Sequence, residues 1–210
     1  LSALSKLYAQ TRDVQVQQRI DYIVAELARA QAQDKDGYVG GLTRKTDAGD
    51  IEGGKQVFEQ IRAGAVSGSK FNINGSWSPL YTVHKLFAGL LDADSLAGNT
   101  QAVPVLLPLA SYLADVFDAL DHDQMQSLLA TEFGGLNESY IELGARTDNP
   151  RWIAIGKRLR HEGIVDPAIA GKDNLPHHHA NTQVPKFIGE ARQFEVTGDL
   201  DSAAGARFFW

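Results

Sequence analysis

Three segments of the sequence concentrate polar and aromatic side chains next to predicted helix starts. They are 77–85 (WSPLYTVHK), 131–138 (TEFGGLNE) and 177–186 (HHHANTQVPK). In the third segment three histidines, an Asn, a Thr and a Gln stand beside an apolar helical stretch. Polar groups of this density beside an apolar stretch are more typical of the rim of a ligand pocket than of an ordinary loop.

His84 is the first candidate binding residue. Leu80 and Phe87 flank it at helical spacing, so its imidazole is predicted to face inward. One interpretation is a core histidine that is hydrogen-bonded to the backbone. The other is a ligand for sugar hydroxyls, because a neutral imidazole both donates and accepts hydrogen bonds. Trp77 and Tyr81 would then supply the aromatic face on which sugar C–H groups stack, although both rings would also suit a core.

The histidines at 177–179 raise the question of a metal. Three adjacent side chains cannot all face one ion, and no acidic or cysteine partner stands at a ligand spacing, so we expect no metal site here. We favour His179 as a residue that points into a polar pocket, with Asn181 beside it. The structural alternative is that residues 181–183 cap a helix that starts near Val184.

The segment TEFGGLNE predicts a tight turn followed by a helix. Its two glycines at 134–135 suit the turn, Asn137 suits the N-cap, and Glu138 suits the first helical turn, where negative charge is stabilising. Glu132 and Glu138 also flank this turn, and a glycosidase needs two catalytic groups across the scissile bond. Whether these two carboxylates face each other is left open by the sequence.

Composition restricts the class of protein. The chain has 210 residues, 22% of them charged, and a formal charge of −6, which fits one sizeable globular domain covering 1–210. It has no block of Lys and Arg, so we expect no nucleic-acid partner. The longest apolar stretch, 103–113, is too short to cross a bilayer, so we expect no membrane partner. The chain begins at Leu1 without a signal peptide, and we make no prediction of localisation.

Apolar residues recur at helical spacing almost throughout, for example over 20–27, 103–117, 152–159 and 187–191. The exception is 34–74, which is rich in glycine and is predicted to be a long ordered loop around a helical turn or two near 55–63.

A weak internal repeat accompanies the helices. Predicted N-cap residues recur at Asn99, Asn149 and Asp199, with an earlier one at Asp13. A unit of about 50 residues is one helical hairpin with its loops, so the chain predicts about four hairpins of a stacked-helix array, unless the spacing is coincidental. A ring of six would need about 300 residues on the same arithmetic. The aromatic run that ends at Trp210 also favours a truncated chain.

Four motifs, WSPLYTVHKLFAGLLDA, EFGGLNE, HANTQVPKFIGEAR and TGD…FFW, resemble one family in order along the whole chain. The chain resembles the N-terminal part of the catalytic domain of glycoside hydrolase family 127, the β-L-arabinofuranosidases formerly grouped as DUF1680. The resemblance implies an all-α fold, an (α/α)6 barrel followed by β-sandwich domains, of which this chain would form a partial toroid. It also implies exo-hydrolysis of β-L-arabinofuranosides with retention of configuration, on an arabinose-containing oligosaccharide or glycoconjugate.

The same resemblance implies a cysteine nucleophile held on a zinc ion by Cys and Glu ligands, and a glutamate as general acid/base. This chain has no cysteine, so the nucleophile and the zinc ligands are expected beyond Trp210 or are absent, and no catalytic residue is assigned within it. We therefore expect the segment alone to be inactive and to depend on a missing C-terminal part of the same protein. The resemblance places His84 and His179 in the substrate pocket and Trp77, Tyr81 and Glu138 close to it. We add Asn181 as a further candidate for substrate binding.

Three other functions remain open at this point. One is a non-catalytic carbohydrate-binding toroid that lost the zinc site. Another is a different toroid enzyme, such as a sugar epimerase or an unsaturated-uronide hydrolase, which works without zinc. The last is a helical-repeat scaffold with no affinity for sugar.

Overall fold

The computed structural model describes residues 1–46 and 48–210, and helices dominate them. The helices are α1 (Ser2–Thr11), α2 (Val14–Gln31), α3 (Lys55–Arg62), α4 (Pro79–Ala97), α5 (Ala102–Asp118), α6 (His122–Leu129), α7 (Leu136–Thr147), α8 (Pro150–Arg158), α9 (Glu162–Ile169), α10 (Ala180–Thr197) and α11 (Leu200–Phe209). The strands are β1 (Thr43–Lys45), β2 (Ile51–Gly53), β3 (Gly68–Ser69), β4 (Asn72–Ile73) and β5 (Ser76–Trp77).

Four helical hairpins form two layers. The hairpins are α1–α2, α4–α5, α7–α8 and α10–α11, and the shorter helices α3, α6 and α9 lie between them in sequence. The first helix of each hairpin packs beside the first helix of the next, so α1, α4, α7 and α10 form one row. Helices α2, α5, α8 and α11 form the second layer against them. This arrangement confirms the predicted all-α, toroid-like fold with about four hairpins.

Aromatic side chains fill the space between the two layers. The ring of Tyr140 lies 5.0 Å from that of Phe87, 6.3 Å from Phe117 and 6.1 Å from Trp152, measured between ring centroids. Its hydroxyl donates to the carbonyl of Ala110 at 2.8 Å, which satisfies the only polar group of a side chain that is fully buried. The second and third hairpins are thereby packed on one shared aromatic cluster.

Glycines bring the two helices of the third hairpin close together. A Cβ on Gly144 of α7 would lie 2.6 Å from Cγ1 of Ile153, and a Cβ on Gly156 of α8 would lie 2.7 Å from Cγ1 of Ile141. Each glycine therefore receives an isoleucine from the facing helix. Adding even one methyl group to a close contact of this kind forces side chains or backbone to shift.

Most of the predicted helix caps are confirmed. Asp13, Asn149 and Asp199 are the N-caps of α2, α8 and α11, and each accepts a hydrogen bond from the backbone N–H two residues on. Asn99 makes the same bond, to the N–H of Gln101 at 3.1 Å, but the prediction that it is the N-cap is wrong. A turn at 100–101 separates it from α5, whose N-cap is Gln101.

The glycine-rich stretch 34–74 is more structured than predicted. Its helix is confirmed as α3, but β1 and β2 form an antiparallel hairpin, and β3, β4 and β5 form a small antiparallel sheet. Strands of two or three residues are too short to show alternating hydrophobicity, so no sequence pattern predicts them. The sheet is tied to the TEFGGLNE segment, because the N–H of Glu132 donates to the carbonyl of Lys70 at 2.7 Å.

The most apolar helix, α5, is part of the core. Ten of its residues are buried, and the tight turn at Gly37 packs on its Pro108. Among the described residues, no helix has both the length and the apolar composition that crossing a membrane requires.

An apolar groove lies along the α10–α11 hairpin. Seven residues contribute apolar side chains to a cavity of about 540 Å³, namely Val184, Phe187, Ile188, Ala191, Ala206, Phe209 and Trp210. Ile188 is 53% exposed although it lies in the middle of a helix. Contiguous exposed apolar surface of this kind favours association.

We predict that the chain self-associates through this groove. Replacing Ile188 with Lys places a charge on the apolar surface and should shift sedimentation velocity profiles toward monomer over the same concentration range. The control is Tyr22→Lys, which changes an isolated ring of α2 that is 56% exposed. Equal association of the wild type and Ile188→Lys would show that another surface is responsible.

Candidate functional site

The three polar segments of the sequence meet at the amino ends of α4, α7 and α10. The Nδ1 atom of His84 accepts a hydrogen bond from the N–H of Gly135 at 3.2 Å. A Cβ on Gly135 would lie 3.6 Å from Cβ of Pro185, so α10 closes over the same turn. The Thr182 hydroxyl donates to the carboxylate of Glu132. Segments separated by about 50 residues in sequence therefore form one structural site.

The turn at 134–135 is shaped to receive the imidazole of His84. Gly134 has φ +62°, a conformation that costs little only for glycine. A Cβ at this position would lie 2.4 Å from Nδ1 of His84 and 3.1 Å from Cδ2 of Tyr81. The first glycine therefore has both a conformational and a steric reason to be glycine.

His84 is held as a neutral hydrogen-bond donor. It is only 6% exposed, and burial, with a smaller effect of the charge of Lys85, lowers its pKa to about 4. Because Nδ1 accepts from Gly135, the remaining proton of the neutral ring is on Nε2. The inward orientation predicted from the sequence is confirmed, and the backbone bond leaves the other ring nitrogen able to donate.

A polar cavity of about 600 Å³ lies between α1, α4 and α7. Two of the predicted site residues, His84 and Glu138, line it. Most of the other polar lining is charged and comes from all three helices, namely Lys6, Lys85, Asp92, Glu142 and Arg146. The cavity has the size of a small-molecule site and is mainly polar, as a sugar would require.

The two glutamates of the cavity have opposite pKa shifts. Burial, together with the negative charges of Glu142 and Asp92, raises the pKa of Glu138. Burial also acts to raise the pKa of Glu142, but its bonds to Arg146 and Arg192 outweigh this and lower it. The cavity thus combines a carboxyl group that retains its proton to a higher pH with a carboxylate that stays ionised.

Neither of the two aromatic candidates lines the cavity. Tyr81 is half-buried, and the ammonium of Lys85 lies 4.5 Å from its ring centroid. Trp77, in β5, is 68% exposed and does not line the cavity. A core role for Trp77 is therefore wrong, and its indole presents a free face to solvent.

His179 and Asn181 also lie outside the cavity. His179 is exposed, and its ring stands edge-on to Phe71 at 5.4 Å, so the expectation that it points into a polar pocket is not met in this structure. It is the N-cap of α10, and that helix begins at Ala180, so a helix start near Val184 is wrong. Pro185 is tolerated inside this helix because the one carbonyl that it leaves without a helical donor belongs to Asn181, which is exposed and open to water.

Asn137 has a different role from the one predicted. It lies inside α7, whose N-cap is Gly135, so its assignment as N-cap is wrong. Its side-chain amide donates to the carbonyl of Lys186 at 2.9 Å and thereby links α7 to α10. A Cβ on Gly189 would lie 2.0 Å from this amide nitrogen, so the glycine of α10 makes the space for it.

The two glutamates that flank the turn lie in different surroundings. Glu138 lines the cavity, whereas Glu132 is 5% exposed and is held by Thr182. The structure therefore does not present them as a pair that shares one cavity. The partner of Glu132 is Thr182 of the next hairpin, 50 residues away in sequence, so no local pattern could predict this contact.

Lys186 is the residue that the sequence reasoning missed. It is 1% exposed, and its ammonium lies 2.7 Å from Nδ1 of His161 and 5.0 Å from the ring centroid of Phe133. Burial lowers its pKa to about 8, and the negative charge of Glu132 limits that decrease. Thr182 and Lys186 are four residues apart and so lie on one face of α10. This spacing is the sequence feature that could have predicted that both side chains face the same segment.

The residues of this chain do not fit the zinc ion that the resemblance implies. The sequence has no cysteine, and over 1–46 and 48–210 no three His, Asp or Glu side chains gather as metal ligands would. No step of a reaction is therefore assigned to a metal here.

We predict that Gly134→Ala destabilises the protein more than Gly98→Ala does. Both glycines have a similar positive φ, +62° and +67°, but a Cβ on Gly98 meets no atom within 4 Å. The matched pair thus separates backbone strain from the close approach to His84, which should cost a further 1–3 kcal/mol, roughly. The measurement is the free energy of unfolding in urea. Equal losses would mean that the turn moves away from His84 without cost.

We predict that protonation of His84 destabilises the folded state. Its pKa of about 4 lies below the ordinary value of 6.5, so the unfolded chain binds the proton more readily. The contribution to stability is complete above pH 6.5 and is lost as the pH falls toward 4, by about 3 kcal/mol in all. In His84→Asn the unfolding free energy should fall less steeply over this range, with His161 supplying the remaining slope. An unchanged slope would contradict the assignment.

The comparisons with known proteins give one family. The family model for the beta-L-arabinofuranosidase, GH127 catalytic domain, matches residues 1–210. A search of curated proteins gave no match to the chain. The family match includes all three segments that meet at His84.

Proposed function

Because the chain belongs to the family of GH127 β-L-arabinofuranosidase catalytic domains, which are glycoside hydrolases, we propose that it supplies part of the pocket that binds a terminal β-L-arabinofuranosyl group. The observation that carries this proposal is the junction of the three polar segments at His84, beside a polar cavity of about 600 Å³. A single furanose fits comfortably in a cavity of this size.

The proposed binding roles follow from the geometry of each side chain. The Nε2–H of His84 donates to a sugar hydroxyl, because its other nitrogen is occupied by Gly135. Glu138 lines the cavity, where its carboxyl group can accept from a sugar hydroxyl, and its raised pKa means that it keeps a proton to a higher pH than an ordinary glutamate does. Trp77 and Tyr81 offer ring faces outside the cavity, where sugar C–H groups would stack.

His179 and Asn181 are proposed as rim residues. Both are exposed at the amino end of α10, on the same side as Phe71 and the small sheet. In this position they contact a ligand that extends out of the cavity, such as the remainder of an arabinose-containing oligosaccharide or glycoconjugate. The sugar in the cavity and its continuation would thus be bound by different helices.

Hydrolysis with retention needs a nucleophile and a general acid/base on opposite sides of the scissile bond. The family resemblance assigns the nucleophile to a zinc-bound cysteine, and the 210 residues contain no cysteine. We propose that the catalytic groups and any zinc ligands come from outside this sequence. The 210-residue chain then binds and orients the sugar but does not cleave it alone.

A second candidate is a carbohydrate-binding toroid without hydrolytic activity. The absence of cysteine from the sequence favours it, since the family's nucleophile is then missing. The protein that carries this domain should be assayed on p-nitrophenyl β-L-arabinofuranoside with and without a zinc chelator. Release that the chelator abolishes supports the zinc-dependent hydrolase, and sugar affinity without release supports the binding protein.

We predict that the chain binds methyl β-L-arabinofuranoside and discriminates against the α anomer. In His84→Ala the loss of one buried donor should weaken the affinity about tenfold, as measured by isothermal titration calorimetry. The control is His122→Ala, which removes an exposed imidazole from α6, outside the cavity. No affinity in the wild-type chain, or equal affinity in His84→Ala, would rule out this role.

A further inference from the structure

The buried ammonium of Lys186 has no role in the binding scheme above. It lies 2.7 Å from Nδ1 of His161 and 5.0 Å from the ring centroid of Phe133, and neither of these groups is a counter-charge. Burying a cation away from a counter-charge is costly, so such residues persist where a nearby charge compensates them. The nearby charge here is that of Glu132: the ring of its neighbour Phe133 lies 5.0 Å from the ammonium, and Thr182, one helical turn before Lys186, donates to its carboxylate.

Glu132 has the complementary environment. One carboxylate oxygen accepts from Thr182, and the other, Oε1, is buried without a hydrogen-bond partner among the described residues. Thr182 and Lys186 lie one turn apart on α10, so a single face of that helix presents a hydroxyl and then an ammonium to the segment 131–135. Phe133, next to Glu132 in sequence, lies under the ammonium.

We propose that Glu132 and Lys186 are positioning residues, a pair of buried opposite charges that fixes the first turns of α10 on the 131–135 turn and so sets the orientation of His84 toward the sugar. This inference rests on the proposed function, because it concerns the same binding site. Neither residue contacts the sugar; both act through the backbone that holds His84.

Only a few residues separate Glu132 and Lys186 from the backbone that contacts His84. Glu132 is two residues from Gly134 and three from Gly135, whose N–H bonds to the imidazole. Pro185, the neighbour of Lys186, packs on Gly135. Loss of either charge leaves the other buried and uncompensated. The remaining group then neutralises or moves toward water, and the second response displaces the 131–135 turn relative to α10. Such a shift moves the N–H that fixes the imidazole.

A double-mutant cycle tests the pair. The variants are Glu132→Gln, Lys186→Met and the double variant. The control is Glu190→Gln, which changes a different buried carboxyl group, one that lies on α10 and interacts with Ser202. The affinity for methyl β-L-arabinofuranoside, the thermal midpoint and the ¹⁵N shifts of His84 are measured for each. Each single variant should bind about tenfold more weakly, and the double variant should bind more tightly than the product of the two losses predicts.

A purely structural role gives a different result. It would lower the thermal midpoint of the single variants while leaving the affinity and the His84 shifts unchanged, as we expect for Glu190→Gln. Glu132→Gln keeps the shape of the side chain, so it decides the question even if Lys186→Met does not fold. Wild-type affinity and unchanged His84 shifts in folded Glu132→Gln would overturn the inference.

The same measurements distinguish a failure of the proposed sugar-binding function from a failure of the charge-pair inference. If the wild-type chain binds no arabinofuranoside, the sugar-binding role is lost. The ¹⁵N shifts of His84 would then still report whether the charge pair positions the imidazole, because they need no ligand.

Discussion

The hydrogen bond from the N–H of Gly135 to Nδ1 of His84 is the contact on which the site depends. It joins two segments about 50 residues apart, and it determines which nitrogen of the imidazole carries the proton. The bond can form only because the turn at 134–135 has no side chains, since a Cβ on Gly134 would overlap the ring. Burial then keeps the imidazole neutral. The close approach of the turn at 134–135 to the imidazole of His84 therefore requires glycine in the turn, and it goes together with one tautomer and a neutral state of the ring.

The helical layers around this contact determine what the imidazole can reach. Helix α4 carries His84 and α7 carries Glu138, and with α1 they enclose a cavity whose lining is mostly polar. Helix α10 approaches from the other side and is held by the amide of Asn137 and by the hydrogen bond from the Thr182 hydroxyl to the carboxylate of Glu132. The chain belongs to a family of glycoside hydrolases, and this membership is the reason for proposing a sugar as the ligand of the cavity.

Much of the fold was predictable because it depends on local patterns. Helical spacing of apolar residues gave the hairpins, and short side chains such as those of Asp13 and Asn149 gave the N-caps, since both effects act within a few residues. The strands of the 34–74 stretch were not predictable, because their pairing depends on neighbours and they are too short to alternate. The start of α10 was misplaced because Pro185 is tolerated inside a helix where the unpaired carbonyl meets water.

The candidate site was predictable only in part. The inward orientation of His84 follows from its spacing to Leu80 and Phe87, and this is confirmed. The exposure of His179 and the burial of Lys186 depend on how α10 lies against another hairpin, and no local pattern contains that information. The sugar-binding roles of the six candidate residues, from Trp77 to Asn181, remain predictions.

Close packing at glycine also constrains how the sequence of this domain can change. Gly144 and Gly156 each receive an isoleucine from the opposite helix, and Gly189 receives the amide of Asn137. A larger residue at one of these positions is compatible with the same helix spacing only if the facing side chain becomes smaller. These contacts should therefore vary in relatives as pairs, glycine with its large partner or the reverse, so that covariation across the α7–α8 and α7–α10 interfaces would record the geometry of the toroid.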